Sequence, residues 1–352
     1  MRKTIVYLAL LAVLAACIWY VTSKDQNMYG REAGFTVADT AAIGKIFLVN
    51  TAGKSVLLER MGDGTWQVNG AYRVMPAPLN TLLKTLARQA AEQPVPQSHH
   101  NMVVKNLAGN STKVELYDRK GKQIRVFYVG EEAPAGSGSY MLIEGAARPF
   151  IVNIPLFEGS LTPRYSADLK DWRDRTVFRI PAEDITEISV QYVDEPLNSF
   201  KMQRGADGSV TVSLDPQMGE QGEPNMSRVQ SYLGFFADVN CEGYTNGEPF
   251  MDSMLSTCPR RCIIDVIGKN GYTQHVTVFW RPLYRRSKNL NTPVPGHKNE
   301  YDADRYFAVF NDNRDTAVIQ EFVFGKIFRA GYEFFQHSSP AIDTTVIHEH
   351  RH

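Results

Sequence analysis

Cysteine is scarce in this chain, with four in 352 residues, and that scarcity excludes a disulfide-built mini-scaffold. Charge of one sign is missing as well. The 38 Lys and Arg balance 38 Asp and Glu, so the basic excess of a general nucleic-acid binder is absent. No Walker A loop and no Rossmann glycine fingerprint occurs, which removes nucleotide hydrolysis and dinucleotide redox chemistry. There is no Gly-x-Ser-x-Gly elbow for a hydrolase nucleophile and no H-E-x-x-H for a zinc protease. What the chain does hold is apolar residues, 43% against 22% charged. That is enough to build cores and to exclude wholesale disorder. The length suits two ordinary domains or one large one.

One long apolar run stands at the amino terminus. Arg2 and Lys3 precede an uncharged stretch from Thr4 to Thr22, which Lys24 closes. As a helix it reaches about 28 Å, close to the hydrocarbon thickness of a bilayer. Tyr7, Trp19 and Tyr20 lie toward its ends, where amphipathic rings suit the interface. The early Arg-Lys pair stays cytoplasmic by the positive-inside rule, so the rest of the chain is expected outside. The expectation is a single-pass bacterial inner-membrane protein with a periplasmic body. A second reading competes: Leu14-Ala15-Ala16-Cys17 fits a lipobox, and cleavage there would leave a lipoprotein anchored through Cys17. The uncleaved anchor is preferred, because the run is long enough to span and Cys17 is followed by the apolar Ile18-Trp19-Tyr20-Val21.

Past the anchor, two stretches match each other. Phe35, Ile43-Gly-Lys-Ile46, Ser55–Arg60 and Gly62–Val68 find counterparts in Phe178, Ile185-Thr-Glu-Ile188, Ser199–Arg204 and Ala206–Val212. The offset holds near 143 residues, as a duplicated unit requires. Each unit opens with an Ile-x-x-Ile strand, continues into alternating apolar residues and turns at Asp63-Gly64 or Asp207-Gly208. An amphipathic helix is predicted next, on Leu79, Leu82, Leu83, Leu86 and Ala90, and on Val229, Tyr232, Leu233, Phe236 and Val239. Four further strands close each unit: Val114–Tyr117, Ile124–Val129, Tyr140–Ile143 and Phe150–Val152, with counterparts through Ile319. The fold class expected is α+β, two tandem repeats, each a mostly antiparallel sheet with one covering helix. The expected division is an anchor at 1–26, a first unit at 27–165, a connector at 166–177, a second unit at 178–337 and a polar tail at 338–352.

The Ile-x-x-Ile pair, the hairpin carrying Leu58-Glu59-Arg60, the Gly64-x-Trp66 turn and the Leu-rich helix together resemble the DUF4340 family. The resemblance implies a bacterial envelope protein, many relatives having one amino-terminal membrane segment. Some relatives look like neighbours of gliding-type ABC transport components in Bacteroidetes, which implies a transport or assembly context. It implies no reaction, cofactor or substrate, so no functional residue is carried over.

Candidate chemistry is sparse. Cys241, Cys258 and Cys262 all lie in the second unit, and the matching positions Ala108 and Thr112 of the first show that the fold does not need them. In an exported protein a disulfide from Cys241 to Cys258 or Cys262 is expected. His348, His350 and His352 space three imidazoles along the tail, where loose metal binding competes with a plain solvated terminus. His99-His100 reads as a solvated loop, and Glu131-Glu132 as a turn. His275 and His297 have no ligand nearby in sequence. Asp302 and Asp304 flank a loop, without the spacing of a calcium site. No catalytic, cofactor or metal residue is assigned.

The comparison of the units is more informative. The first joins two strands by Gly130–Ser139, whereas the second uses Arg281–Arg305, an insertion of about sixteen residues. Arg281, Arg285, Arg286 and Lys288 surround Tyr284, and Thr292-Pro-Val-Pro-Gly-His297 stiffens the rest. Loops that the scaffold does not require often carry binding. The expectation is therefore a non-catalytic accessory or scaffold protein, with Arg281, Tyr284, Arg285, Arg286, Lys288 and His297 meeting an envelope protein partner. On this reading residues 285–300 contribute little to stability, and trimming them changes it by only about 1 kcal/mol. Two rivals stand: a glycan- or solute-binding module using the Tyr and Trp residues of the second unit, and a hydrolase whose site is assembled from distant residues.

Overall fold

The computed structural model describes residues 30–295 and 297–336. The spanning run, Cys17 and the histidine tail lie outside them. Among the described residues no helix is long and apolar enough to cross a membrane. The chain divides into two compact units between Asp174 and Arg175.

The first unit runs β1 (Ile43–Asn50), β2 (Ser55–Arg60), β3 (Trp66–Val68), β4 (Tyr72–Arg73), α1 (Pro76–Arg88), β5 (Ala90–Pro94), α2 (Gln97–Gly109), β6 (Thr112–Asp118), β7 (Gln123–Glu132), β8 (Ser139–Ile143) and β9 (Phe150–Asn153). Its antiparallel sheet has the order β4-β3-β2-β1-β6-β7-β8-β9-β5. The second unit runs β10 (Thr176–Phe178), β11 (Ile185–Tyr192), β12 (Phe200–Arg204), β13 (Val210–Leu214), α3 (Met226–Gly234), β14 (Val239–Asn240), β15 (Gly243–Tyr244), α4 (Met251–Thr257), β16 (Arg260–Gly268), β17 (Thr273–Pro282), β18 (Tyr301–Phe310), β19 (Asp315–Gln320) and α5 (Glu321–Phe324). Its main sheet has the order β13-β12-β11-β16-β17-β18-β19-β15, and β10 pairs separately with β14. The architecture is α+β, with mostly antiparallel sheets and few helices.

Local details correspond between the sheets. Ile46 faces Leu58 on one neighbour and Leu116 on the other, and Ile188 faces Met202 and Val266 in the same way. The pairing of the first strand slips at Ile43/Lys45 in one sheet and at Ile185/Glu187 in the other. At the Asp-Gly turns the aspartate accepts from the backbone N–H and the hydroxyl two residues on, at 2.9 and 2.7 Å for Asp63 and at 3.0 and 2.7 Å for Asp207. Gly64 and Gly208 sit at φ +86° and +85°, which a Cβ would strain.

The expectation of one covering helix is corrected to a helix on each face. Side chains of a strand alternate between faces, and here both faces bury apolar groups. In the first unit Phe127, Val129, Met141, Phe150 and Val152 meet Leu79, Leu82 and Leu86 of α1. The residues between them, Tyr128, Tyr140, Leu142 and Ile151, meet Val103 and Leu107 of α2 instead. In the second unit Val276, Val278, Tyr306, Ala308 and Ile319 join Val229, Tyr232 and Leu233 of α3. Phe279, Phe307 and Val318 turn to the opposite face, where Met251, Leu255 and Cys258 cover them. The second helices are hard to read because they bury so little: Val103 and Leu107 on α2, Met251 alone on α4. His99 and His100 therefore lie on α2, not in a loop.

Smaller corrections follow from packing. Ala90 and Val239 begin strands after their helices have ended. The boundary between the units, at Asp174/Arg175, falls within the expected connector 166–177, whose ends are built into the cores, Ala167 and Trp172 in the first and Val177 in the second.

Candidate functional site

The functional candidates gather at one end of the second sheet, where the ladder is interrupted twice. Pairing shifts between Arg260 and Cys262 against β17, and between Trp280 and Pro282 against β18. A bulge re-aims the extra side chain, and here it delivers Arg261 to the α3 side of the sheet. Its guanidinium lies over Phe328 at 4.1 Å, Tyr306 at 4.5 Å and Trp280 at 4.9 Å.

The segment joining β17 to β18 wraps this end. At its start the guanidinium of Arg281, on β17, stacks on Tyr284 at 4.0 Å and on Phe307 at 5.3 Å, and stands 4.0 Å from Asp302. Asp302 is fully buried on β18, so the expected loop-flanking carboxylate is an interior one. The Ser287 hydroxyl donates to it at 3.0 Å, and the Asp304 N–H donates at 2.9 Å. Asn289 donates to the Tyr301 carbonyl at 2.6 Å and accepts from the Ala303 N–H at 3.0 Å. Ser287 and Asn289 are buried, while Arg285, Arg286 and Lys288 are exposed, the last reaching Asp304 at 2.9 Å. Leu290 and Val294 are exposed as well. The loop is thus pinned from inside. The expectation that it adds little to stability does not survive, because removing it would strip the Ser287 donor from a buried carboxylate.

In its second half the loop turns to the Trp280 side. His297 packs edge-on against Trp280 at 5.6 Å, with its Nε2 buried and lacking a hydrogen-bond partner. Lys298 lies 5.3 Å from the Trp280 ring and donates to Asp194 at 2.7 Å. Asp194 also accepts from the Trp280 indole N–H at 2.9 Å. The Lys298 ammonium holds the Asp194 carboxyl below the usual carboxylate range, and Asp194 in turn raises Lys298. With Tyr192, Glu195 and Arg261, these groups line a cleft of about 150 Å³.

The six residues singled out in the sequence are therefore split. Arg281 and Tyr284 form a half-buried stack, Arg285, Arg286 and Lys288 project outward, and His297 belongs to the cleft. Asp194, Arg261 and Lys298 were not anticipated, and Trp280 entered only through the solute-binding rival. An aromatic residue at the strand end beside the insertion was the available signal for Trp280; a bulge leaves none for Arg261.

The expected disulfide is absent. Cys241, Cys258 and Cys262 are buried thiols, and they divide between two apolar clusters, Cys258 packing with Met251 and Phe307 while the others join the main core. Burial pushes the Cys262 thiol up to about 12 and raises that of Cys258. Among the described residues no group of three or more metal-ligating side chains forms. The arrangement nearest to hydrolytic chemistry is on the α4 side, where His275 Nδ1 meets Asp265 at 2.6 Å and its Nε2 lies 3.3 Å from the Thr277 hydroxyl. Thr277 is only 8% exposed, so that hydroxyl is not presented to a substrate.

A family model described as a domain of unknown function, DUF4340, matches residues 39–253. No curated protein and no solved structure matches the chain.

Proposed function

The chain belongs to the DUF4340 family, and from that premise we propose that it is a membrane-tethered accessory or scaffold subunit of the bacterial cell envelope. It faces the periplasm, it comprises two α+β units derived from one by duplication, and it works by binding an envelope protein partner in a transport or assembly complex. The uncharged run 4–22 after Arg2-Lys3 supports the tether as a spanning helix, with lipidation of Cys17 as the alternative anchor. Matching strand orders and matching slips at Ile43 and Ile185 support the duplication.

The observation that carries the binding role is the built loop between β17 and β18. Its inner side chains Ser287 and Asn289 are spent on holding it, and its outer ones are Arg285, Arg286 and Lys288 beside exposed Leu290 and Val294. The first unit closes the same place with only Ala133–Gly138. A cationic surface with apolar neighbours suits an acidic protein face, where opposite charge speeds encounter and selects the partner. The glycan reading is less favoured, because Trp280 is 7% exposed and Tyr301 stacks on it at 5.5 Å, which leaves little open ring for a sugar.

The test is co-purification from native membranes. Arg285→Glu with Arg286→Glu should leave expression and melting temperature unchanged, since both side chains are exposed, and should abolish recovery of the natural partner. Full recovery by the reversed-charge protein would reject the loop as the contact.

A further inference from the structure

We infer that the cleft beside Trp280 is a carboxylate-binding pocket for an acidic side chain of a polypeptide partner, with the Arg261 guanidinium as its principal contact. The inference rests on the partner-binding role proposed above and names the chemistry the partner brings.

Arg261 is the central observation. Its side chain is 17% exposed and walled by three aromatic rings. Such walls lower the local dielectric and strengthen any ion pair formed there. A guanidinium carries five N–H donors in a fork that matches a carboxylate. Among the described residues the anion paired with it is Glu321, which accepts a single hydrogen bond from one guanidinium nitrogen at 3.5 Å. Glu321 is itself engaged by the Tyr306 hydroxyl at 2.6 Å. The fork is therefore positioned but not filled by a bidentate partner.

The rest of the cleft is consistent with this reading. His297 supplies a ring nitrogen that is buried and unpartnered, able to donate as the Nε2–H tautomer. Lys298 stands at the rim with its ammonium paired to Asp194 at 2.7 Å, so the charge left for a ligand is that of Arg261. Of the carboxylates in the lining, Asp194 is occupied by Trp280 and Lys298, while Glu195 is exposed and accepts from Asn198 at 2.6 Å. The volume, about 150 Å³, falls below the roughly 300–1,000 Å³ typical of pockets for whole small molecules. That size fits one side chain better than a free solute. The loop that supplies His297 and Lys298 also carries the exposed cations, so a single acidic segment can be read by both of its halves.

The experiment uses the full chain in detergent micelles, with indole ¹⁵N labelling. The Trp280 indole N–H, bonded to Asp194, is the reporter. Acetyl-(Gly-Glu)₃-amide is titrated against its Gln counterpart and against succinate. The expected result is a saturating shift of the Trp280 signal with the Glu peptide, none with the Gln peptide, and weaker binding of succinate. Arg261→Lys keeps the charge and loses the fork, and should weaken the peptide at least tenfold. His297→Phe keeps the ring against Trp280, loses the donor, and should weaken it several-fold. A dispersed spectrum checks that each variant is folded. Equal shifts with Glu and Gln peptides, or unchanged affinity in Arg261→Lys, would overturn the pocket. Succinate binding tighter than the peptide would overturn the polypeptide assignment. The two proposals fail separately. Loss of the partner on reversing Arg285 and Arg286 without any peptide shift would sink the pocket alone. A peptide shift with the partner retained would sink the loop contact alone.

Discussion

Asp194 shows how much one side chain can organise. It lies outside any recognisable motif, yet it ties the loop after β11 to Trp280 on β17 and to Lys298 on the insertion. The signs of the pH dependence follow from the two shifts. A lowered carboxyl contributes stability that is present above its unfolded value, about 3.9, and lost as pH falls through the folded one. A raised ammonium contributes stability that is present below its unfolded value, about 10.4, and lost as pH rises through the folded one. The pair is about one-third exposed, so solvent screening keeps its worth to roughly 1 kcal/mol or less. Asp194→Asn should therefore lower the melting temperature between about pH 5 and 9, with the gap closing at both extremes. Thermal unfolding of both proteins across pH 3 to 11 measures it. A gap that persists unchanged at pH 3 would show that geometry rather than charge is responsible.

The element that departs most from expectation is the connection between β17 and β18. Loop-closure entropy alone makes a long insertion nearly neutral. That reasoning treats the loop as featureless chain, whereas this one donates into the interior. Asp302 is fully buried, and the Ser287 hydroxyl is one of its hydrogen-bond donors. Hydrogen bonds to charged groups contribute about 1.5–3 kcal/mol. Ser287→Ala should accordingly destabilise the protein by about 2 kcal/mol, read as a lower urea midpoint at constant slope. A change below about 0.5 kcal/mol, the scale of ordinary surface substitutions, would restore the loop as a passive insertion. The helices α2 and α4 teach a related lesson. Each covers a sheet face with two or fewer buried residues of its own, so the apolar demand is written on the strands beneath rather than on the helix.

At the scale of the whole molecule, each unit has a main core of its own. One draws its buried residues from Phe35 to Trp172 and the other from Val177 to Phe334. Since burial of such sets dominates folding free energy, fragments 30–174 and 175–336 should each unfold in a single cooperative urea transition and keep their near-ultraviolet circular dichroism. A fragment that loses its transition would show that its core needs the other half.

Hydrophobic alternation and turn chemistry were enough to reveal the strands, the Asp-Gly turns, α1, most of α3 and the family. These features depend on neighbours a few residues apart, and the chain carries that information in order. Tertiary structure alone decided the rest. Arg261 reaches the cleft through a bulge, and a bulge depends on how two strands pair, not on either strand's composition. Asp194 meets Lys298 across 104 positions, and Ser287 becomes structural only once Asp302 has been carried inside. The thiols follow the same rule. A count and a compartment suggested a bridge, but which face of the sheet each cysteine enters left Cys258 in one cluster and Cys262 in another.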